Sequence, residues 1–180
     1  MRFFISINCD YETKKLLLSV QDIIKTQSFK GSFSRPENLH LTLAFIGETH
    51  EEKVPAICSV IKEALQQSIT PFELVFSRTG CFTHSNKELW WVGADRADPF
   101  LVILKNLRLR ITKGLSVKGI VFDSRPFSPH ITLGREIKHG APIVIPEQEI
   151  VFPVNRISLM KSERIKGILV YTEIFGQDLF

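Results

Sequence analysis

Residues 35–43 read Arg-Pro-Glu-Asn-Leu-His-Leu-Thr-Leu, and residues 125–133 read Arg-Pro-Phe-Ser-Pro-His-Ile-Thr-Leu. In both segments Arg and Pro precede the His by the same distances, and Thr follows it two places later. A repeat this short cannot build a solenoid, but it fits two related lobes that each contribute one strand to a shared site. The two segments therefore predict a duplicated half-site.

Each segment has the composition of a β-strand, in which successive side chains point to opposite faces. His40 and Thr42 then share one face, as do His130 and Thr132, while the apolar residues between them point into a core. If the two strands face each other across a cleft, two imidazoles and two hydroxyls converge on one small volume. This arrangement suits a phosphodiester substrate.

Opening a cyclic phosphate requires a base that deprotonates water and an acid that protonates the departing ribose oxygen. Imidazole can serve as either near neutral pH, because its ordinary pKa of about 6.5 is moved across that range by small environmental changes. The Thr hydroxyls can donate hydrogen bonds to the non-bridging oxygens, where charge develops. We expect no metal and no cofactor, since a zinc site would need a third ligand at motif spacing and none is visible.

A lone His in a strand is more often structural than catalytic, but two His-x-Thr triplets among five His are seldom a chance event. His50, His84 and His139 lie in predicted loops and receive no role.

The rest of the chain predicts helices and strands in one folding unit, residues 1–180, without a linker or low-complexity tract. Helices are expected where apolar residues recur at helical spacing, at 11–26, 51–67 and 100–115. Strands are expected at 3–8, 39–46, 72–76, 89–92, 130–134, 150–159 and 168–175. The segment between the third and fourth of these strands is rich in turn residues and predicts a connecting turn.

Composition sets further bounds on the partner and the compartment. The 23 Lys and Arg against 19 Asp and Glu give a net charge of +4, which favours an anionic partner without identifying it. Cys9, Cys58 and Cys81 are widely spaced, which predicts buried reduced thiols in a cytoplasmic protein. The apolar run before Asp10 is too short for a secretory leader or a membrane span, so we expect no membrane association.

Four further residues allow more than one interpretation. Arg135 lies an odd number of positions after His130, so it would leave the catalytic face unless the strand bends or ends there; if it does, Arg135 could contact phosphate or ribose. By the same count Phe45 belongs to the buried face and is expected in the core. Trp90 and Trp91 should face opposite sides of a strand, and for both of them packing is favoured over stacking on a base.

The segments His-Leu-Thr-Leu-Ala-Phe-Ile-Gly-Glu from His40 and Pro-His-Ile-Thr-Leu-Gly-Arg ending at Arg135 resemble the paired signatures of the 2H phosphoesterase superfamily. They are most similar to its RNA 2',3'-cyclic phosphodiesterase branch, also called 2'-5' RNA ligase. The resemblance implies a bilobal α+β fold, with two antiparallel sheets around a central cleft and helices outside. Gly134 departs from it, since a larger residue is common at that position, and this leaves the shape of the substrate rim open.

For the site, the resemblance implies that His40 is the acid, that His130 is the base, and that Thr42, Thr132 and Arg135 bind the phosphate. The implied reaction hydrolyses a terminal 2',3'-cyclic phosphate to a 2'-phosphate, with reversible 2'-5' ligation as a further activity. The implied partners are RNA ends or nucleotides bearing the cyclic phosphate, tRNA among them, and the expected assembly is a monomer.

Two other functions stay open at this stage. One is another activity of the same superfamily, on 2',5'-oligoadenylate or on a cyclic phosphate of ADP-ribose, because the loops rather than the motifs read the rest of the ligand. The other is a non-catalytic module that binds RNA ends. The second is the weaker alternative, since binding alone does not require two opposed titratable groups.

Overall fold

A computed structural model of the chain describes residues 1–85 and 87–180. Within these residues the chain forms three α-helices, two short 3-10 helices and nine β-strands. The α-helices are α1 (Tyr11–Gln27), α2 (Val54–Ala64) and α3 (Leu101–Val117), and the 3-10 helices are Pro36–Asn38 and Glu51–Lys53. The strands are β1 (Arg2–Asn8), β2 (Lys30–Phe33), β3 (His40–Glu48), β4 (Phe72–His84), β5 (Lys87–Ala94), β6 (His130–Lys138), β7 (Ile150–Val154), β8 (Arg156–Ile165) and β9 (Ile168–Asp178).

The strands form one hydrogen-bonded sheet in the order β7-β4-β5-β6-β3-β1-β8-β9, and β2 pairs with β6 beside this path. All strand pairs of the described residues are antiparallel, which confirms the predicted α+β class. The two predicted sheets are two halves of this one sheet. They meet where β3 and β6 pair at a single position, Leu41 opposite Ile131. The two motif strands therefore lie side by side at the centre of the molecule.

The helices pack against the sheet and bury an apolar core between them. α1 contacts β6 and β7, and α3 contacts β3 and α2, so each motif strand is backed by a helix. The apolar residues that alternate with the motif His and Thr are at most 2% exposed: Leu41, Leu43, Ile131 and Leu133. Burial of these residues fixes which face of each strand is open, because a strand cannot rotate without exposing them.

Several elements differ from the sequence predictions. The turn-rich segment before Leu89 is mostly strand, since β4 continues to His84, and its residue Asn86 lies outside the described residues. The predicted strand at 150–159 is two strands, separated at Asn155, and β2 was not predicted. α2 starts at Val54 rather than residue 51, because Pro55 has no backbone N–H and is tolerated only in the first turn of a helix.

Two further expectations concerned buried cysteine thiols and the absence of a membrane span. Cys9, Cys58 and Cys81 are all free thiols, but only Cys9 is buried, and Cys81 is exposed on β4. None of the helices in the described part of the chain is long and apolar enough to cross a bilayer.

Candidate active site

A cleft of about 870 Å³ opens over the junction of the two half-sheets. The motif strands β3 and β6 form its floor, and β1, β2 and the hairpin of β8 and β9 contribute its walls. It is lined by Arg2, Phe4, Ser32, Phe33, Ser34, Arg35, Asn38, His40, Thr42, Phe45, Glu48, His130, Thr132, Arg135, Ser162, Glu163, Arg164, Gly167, Ile168, Leu169 and Tyr171. All five residues singled out from the motifs are therefore in one cavity, whereas His50, His84 and His139 lie outside it.

The two motif histidines each make the same kind of hydrogen bond, from Nδ1 to a backbone carbonyl two residues earlier. The Nδ1 atom of His40 is 2.7 Å from the carbonyl oxygen of Asn38, and Nδ1 of His130 is 2.7 Å from the carbonyl oxygen of Ser128. A carbonyl can only accept, so Nδ1 carries the proton in both rings. The opposite nitrogen, Nε2, is then the atom that gains or loses a proton. The two half-sites thus present the same tautomer.

His40 is packed among aromatic rings, although part of its surface is open to the cleft. Phe4 lies 4.7 Å from it between ring centroids, and Tyr171 lies edge-on at 5.3 Å. Burial lowers the pKa of His40 from 6.5 to about 4, and the positive charge of Arg135 adds to this, while the bond to the carbonyl of Asn38 partly offsets it. His40 is therefore neutral at pH 7 when the cleft holds no anion.

His130 is less deeply enclosed. The ring of Phe82 lies edge-on at 5.2 Å and that of Trp91 at 6.3 Å. Burial lowers the pKa of His130 below its ordinary value of 6.5, with Arg135 contributing and the carbonyl of Ser128 opposing. His130 is therefore neutral at pH 7, and the neutral imidazole is the form that can accept a proton.

The two threonines lie beside their histidines on the open face. The hydroxyl of Thr42 is 3.0 Å from Nε2 of His40, and because Nδ1 carries the proton of the neutral ring, this hydroxyl donates to Nε2. Thr132 occupies the corresponding position on β6 and is half-buried. A bound phosphate would compete with His40 for the Thr42 hydroxyl.

Each motif strand contains a β-bulge one residue beyond its Thr. Thr42 pairs with Ser6 and Ala44 with Ile5, so Leu43 has no partner of its own. In the same way Thr132 pairs with Trp91 and Gly134 with Trp90, which leaves Leu133 unmatched. A bulge adds a residue to one strand, so the alternation of side chains reverses beyond it.

The bulges decide the orientation of Phe45 and Arg135. Both lie five residues after a motif His, and both point into the cleft because the alternation has reversed. The prediction that Phe45 is a core residue was wrong, since its ring is 40% exposed and lines the cavity. Arg135 was expected to reach the catalytic face only if its strand bends, and the bulge in β6 provides that bend. The guanidinium of Arg135 lies close enough to lower the pKa of both histidines.

Packing explains why position 134 is a glycine, where a larger residue is common. A Cβ atom added to it would lie 3.0 Å from Cδ1 of Phe33 and 2.9 Å from Cδ1 of Ile137. The close approach lets the ring of Phe33, on β2, cover the bulge and form one wall of the cleft. The rim of the cleft is thus shaped by Phe33 in place of a side chain at 134.

Two helical side chains bind the carbonyl groups of the bulges. On β6, the carbonyl of Leu133 accepts hydrogen bonds from Nε2 of Gln21 at 2.9 Å and from the backbone N–H of Ser34 at 2.8 Å. Nε2 of Gln21 also donates to the carbonyl of Ser34 at 2.8 Å. On β3, the carbonyl of Leu43 accepts from Nε of Arg108 at 3.2 Å. α1 and α3 thus each stabilise one bulge.

Sequence reasoning missed both of these side chains. Gln21 is one of two polar residues, with Thr13, on the buried stripe of α1; this indicates a buried hydrogen bond but does not identify its partner. Arg108 is one of several basic residues on α3, and a solvated helix face explains such a group as well as phosphate binding does. Its guanidinium instead lies 4.8 Å from the ring of Phe127 and binds the carbonyl of Leu43.

We expect Gln21→Leu to lower the activity of the site about tenfold, because the two carbonyls lose their shared donor and the bulge that orients Arg135 loosens. In an Arg135→Ala background the same change should have little further effect, since the group it orients is gone. Steady-state kinetics of the two single variants and the double variant measure this coupling.

Gln27→Leu is the matched control, because Gln27 lies on the same helix and bonds Val144 through its amide, at 2.9 Å from the Val144 carbonyl and 2.9 Å from its N–H. It should lower the melting temperature without lowering activity. Equal activity losses in the Gln21 and Gln27 variants would contradict a specific role for Gln21.

Trp90 and Trp91 are both buried, as the packing prediction required, at 8% and 9% exposure. Nε1 of Trp90 donates to the carboxylate of Glu88, which also lies 3.0 Å from Nε2 of His139.

Across residues 1–85 and 87–180, no group of three or more His, Cys, Asp or Glu side chains is arranged to hold a metal ion.

The mixed fold and the matched His-x-Thr strands around one cleft define a 2H phosphoesterase. A model of the 2'-5' RNA ligase superfamily matches residues 15–166. The chain belongs to this superfamily.

Comparison with individual proteins agrees with this assignment. The RNA 2',3'-cyclic phosphodiesterase of Thermus thermophilus is 31% identical over 96% of this chain and 87% of its own length. The Escherichia coli protein of the same name is 30% identical over 96% of this chain and 93% of its own length. Among solved structures, TT0787 of Thermus thermophilus gives a TM-score of 0.79 at 29% identity, covering 99% of this chain and 98% of that one. Escherichia coli LigT complexed with 3'-AMP gives 0.77 at 25% identity, covering 99% and 96%.

Proposed function

We propose that the protein hydrolyses the 2',3'-cyclic phosphate at an RNA end to a 2'-phosphate, with His40 as the acid and His130 as the base. The observation that carries the proposal is the pair of identically anchored imidazoles in one cleft, both with Nε2 as the titrating atom. The names of the similar bacterial proteins support the substrate class. One chain supplies both histidines, so a monomer is sufficient for the reaction.

In the proposed reaction, Nε2 of His130 removes a proton from water as its oxygen attacks phosphorus. Nε2 of His40 protonates O3' as the bond between phosphorus and O3' breaks. The hydroxyls of Thr42 and Thr132 donate to the non-bridging oxygens, on which negative charge accumulates. Arg135 adds a positive charge and a planar donor pair that matches two phosphate oxygens. These groups suffice for the reaction without a metal ion.

The acid role requires His40 to be protonated, although burial favours its neutral form. A bound phosphate anion reverses this preference, because a negative charge within a few ångströms stabilises the charged imidazolium. Binding also removes the Thr42 hydroxyl from Nε2 of His40. The negative charge of the substrate therefore favours the protonated form of His40 that the reaction requires. We expect the protein to be inactive toward uncharged esters, because they do not raise the pKa of His40.

Residues in the walls of the cleft contact the nucleoside of the substrate. Phe45 offers an exposed aromatic ring on the cavity side of the bulge, and rings of this kind stack on nucleobases of any sequence. Four arginines line the cavity, at positions 2, 35, 135 and 164, which suits an RNA end better than an uncharged ester.

A substrate panel tests the function and its competitors. We expect turnover of 2',3'-cyclic AMP and of an oligonucleotide ending in a cyclic phosphate, in the presence of excess EDTA. Faster turnover of 2',5'-oligoadenylate or of an ADP-ribose cyclic phosphate would favour those activities instead. Tight binding without turnover would favour a binding module, and loss of activity in chelator that zinc or manganese restores would favour a metallohydrolase.

The pH dependence should be bell-shaped, because one histidine must be charged and the other neutral. For kcat/KM, which reports the free enzyme, the bell should lie below the ordinary histidine pKa of about 6.5, since burial lowers the pKa of both rings. For kcat, which reports the bound state, the alkaline limb should move to higher pH as the phosphate raises the pKa of His40. Rate profiles between pH 4 and 9 measure both; coincident alkaline limbs would contradict the proposed effect of the phosphate.

A further inference from the structure

An exposed aromatic surface adjoins His130 outside the cleft. Phe82 on β4 is 43% exposed, and its ring meets that of His130 edge-on at 5.2 Å. Trp91 on β5 lies 5.2 Å from Phe82 and 6.3 Å from His130. Neither residue lines the cleft, although His130 does. Because β4 and β5 lie on the side of β6 opposite to β3, this surface extends beyond His130 and away from His40. We call Phe82, Trp91 and Arg78 the Phe82 platform.

The backbone beneath this surface is shaped to hold the indole ring. A Cβ atom added to Gly80 would lie 2.7 Å from Cζ2 of Trp91, and one added to Gly93 would lie 2.8 Å from its Cζ3. Trp91 thus lies directly against the backbone of both strands, where side chains would otherwise displace it. The buried indole gives the exposed ring of Phe82 a rigid support.

Arg78 adds a positive charge to the platform. Its guanidinium carbon lies 5.6 Å from the centroid of the Trp91 ring. Among the ion pairs of the described residues none involves Arg78. Arg78 and the exposed ring of Phe82 both lie against Trp91, so the platform combines a ring that can stack on a base with a positive charge that attracts a phosphate. Proteins that bind single-stranded nucleic acid use this combination.

The location of the platform indicates which nucleotide it binds. In-line attack at phosphorus places the nucleophile opposite the leaving O3', hence on the side of His130. Water needs no aromatic surface there. A second nucleotide whose 5'-hydroxyl replaces water would place its base beside His130.

We propose that, in the 2'-5' ligation implied by the resemblance to the RNA ligase branch, the Phe82 platform is the subsite that binds the base of the nucleotide whose 5'-hydroxyl attacks the cyclic phosphate. The proposal rests on the proposed function. In this step the 5'-hydroxyl gives its proton to His130, the bond between phosphorus and O5' forms, the bond to O3' breaks, and His40 gives its proton to O3'. The product is a 2',5'-phosphodiester, and no other reactant is consumed.

A partition experiment tests the platform. 2',3'-Cyclic AMP is incubated with adenosine, or with methyl riboside, which carries the same 5'-hydroxyl without a base, and hydrolysis and transfer products are quantified together. The unaltered protein should transfer to adenosine more readily than to methyl riboside. Phe82→Ala should lower the ratio of transfer to hydrolysis with adenosine about tenfold, the loss expected when one stacked ring is removed. Both products depend on His130, so the ratio cancels any disturbance of that residue.

Matched variants complete the test. Phe82→Trp should keep the ratio, and Thr83→Ala, on the adjacent exposed position of the same strand, should leave both rates unchanged. The platform proposal is overturned by a transfer-to-hydrolysis ratio that Phe82→Ala leaves unaltered, by equal transfer to adenosine and methyl riboside, or by hydrolysis without transfer. Absence of hydrolysis itself would instead reject the proposed function.

Discussion

Replacing either His40 or His130 with Ala should lower kcat/KM for 2',3'-cyclic AMP by at least about a hundredfold, because each removal deletes one of the two proton transfers. Both transfers belong to the same step, so the double variant should lose little more than the worse single variant. Initial rates of the three variants measure this coupling. Appreciable activity in the double variant would reject the assignment of both histidines.

The His40 variant needs a structural control, since its ring packs against Phe4 and Tyr171 and an alanine would leave a cavity. His40→Asn can still donate a hydrogen bond to the carbonyl of Asn38, but cannot carry a proton to O3'. It should melt near the unaltered protein and be as inactive as His40→Ala. Thr42→Ala and Thr132→Ala should each lose less, because the phosphate oxygens keep other donors; equal losses from Thr and His changes would contradict this ranking.

The second large effect concerns which bond breaks. With the two histidines on separate strands of a fixed sheet, only one ribose oxygen can lie beside the acid while water lies beside the base. The protein should therefore open 2',3'-cyclic AMP to one regioisomer almost completely. With His40 beside O3', that product is 2'-AMP.

Chromatography against authentic 2'-AMP and 3'-AMP separates the two parts of this prediction. A near-equal mixture would reject a rigid opposed pair of histidines. Predominant 3'-AMP would leave the two-histidine mechanism in place and reverse the orientation of the ribose. The alkaline product mixture obtained without enzyme serves as the reference for an unselective opening.

The duplicated segment predicted much of the architecture because its information is local. Alternation of apolar and polar residues in 40–43 and 130–133 indicates two half-buried strands, and the repeat indicates that they belong together. The helices were predicted by their 3.6-residue spacing, with boundaries that moved by a few residues where capping and Pro55 intervened. β2 escaped prediction because its four residues, Lys30–Phe33, carry too little pattern to be distinguished from a loop.

The sequence by itself determined that His40, Thr42, His130 and Thr132 lie on open strand faces, since two-residue alternation is a property of the strand alone. Only the tertiary structure decided the orientation of Phe45 and Arg135. A bulge arises from the register with a neighbouring strand and from groups that bind its carbonyl, here Gln21 and Arg108. Those partners are distant in sequence, so counting along the motif assigned Phe45 to the core and left Arg135 undecided.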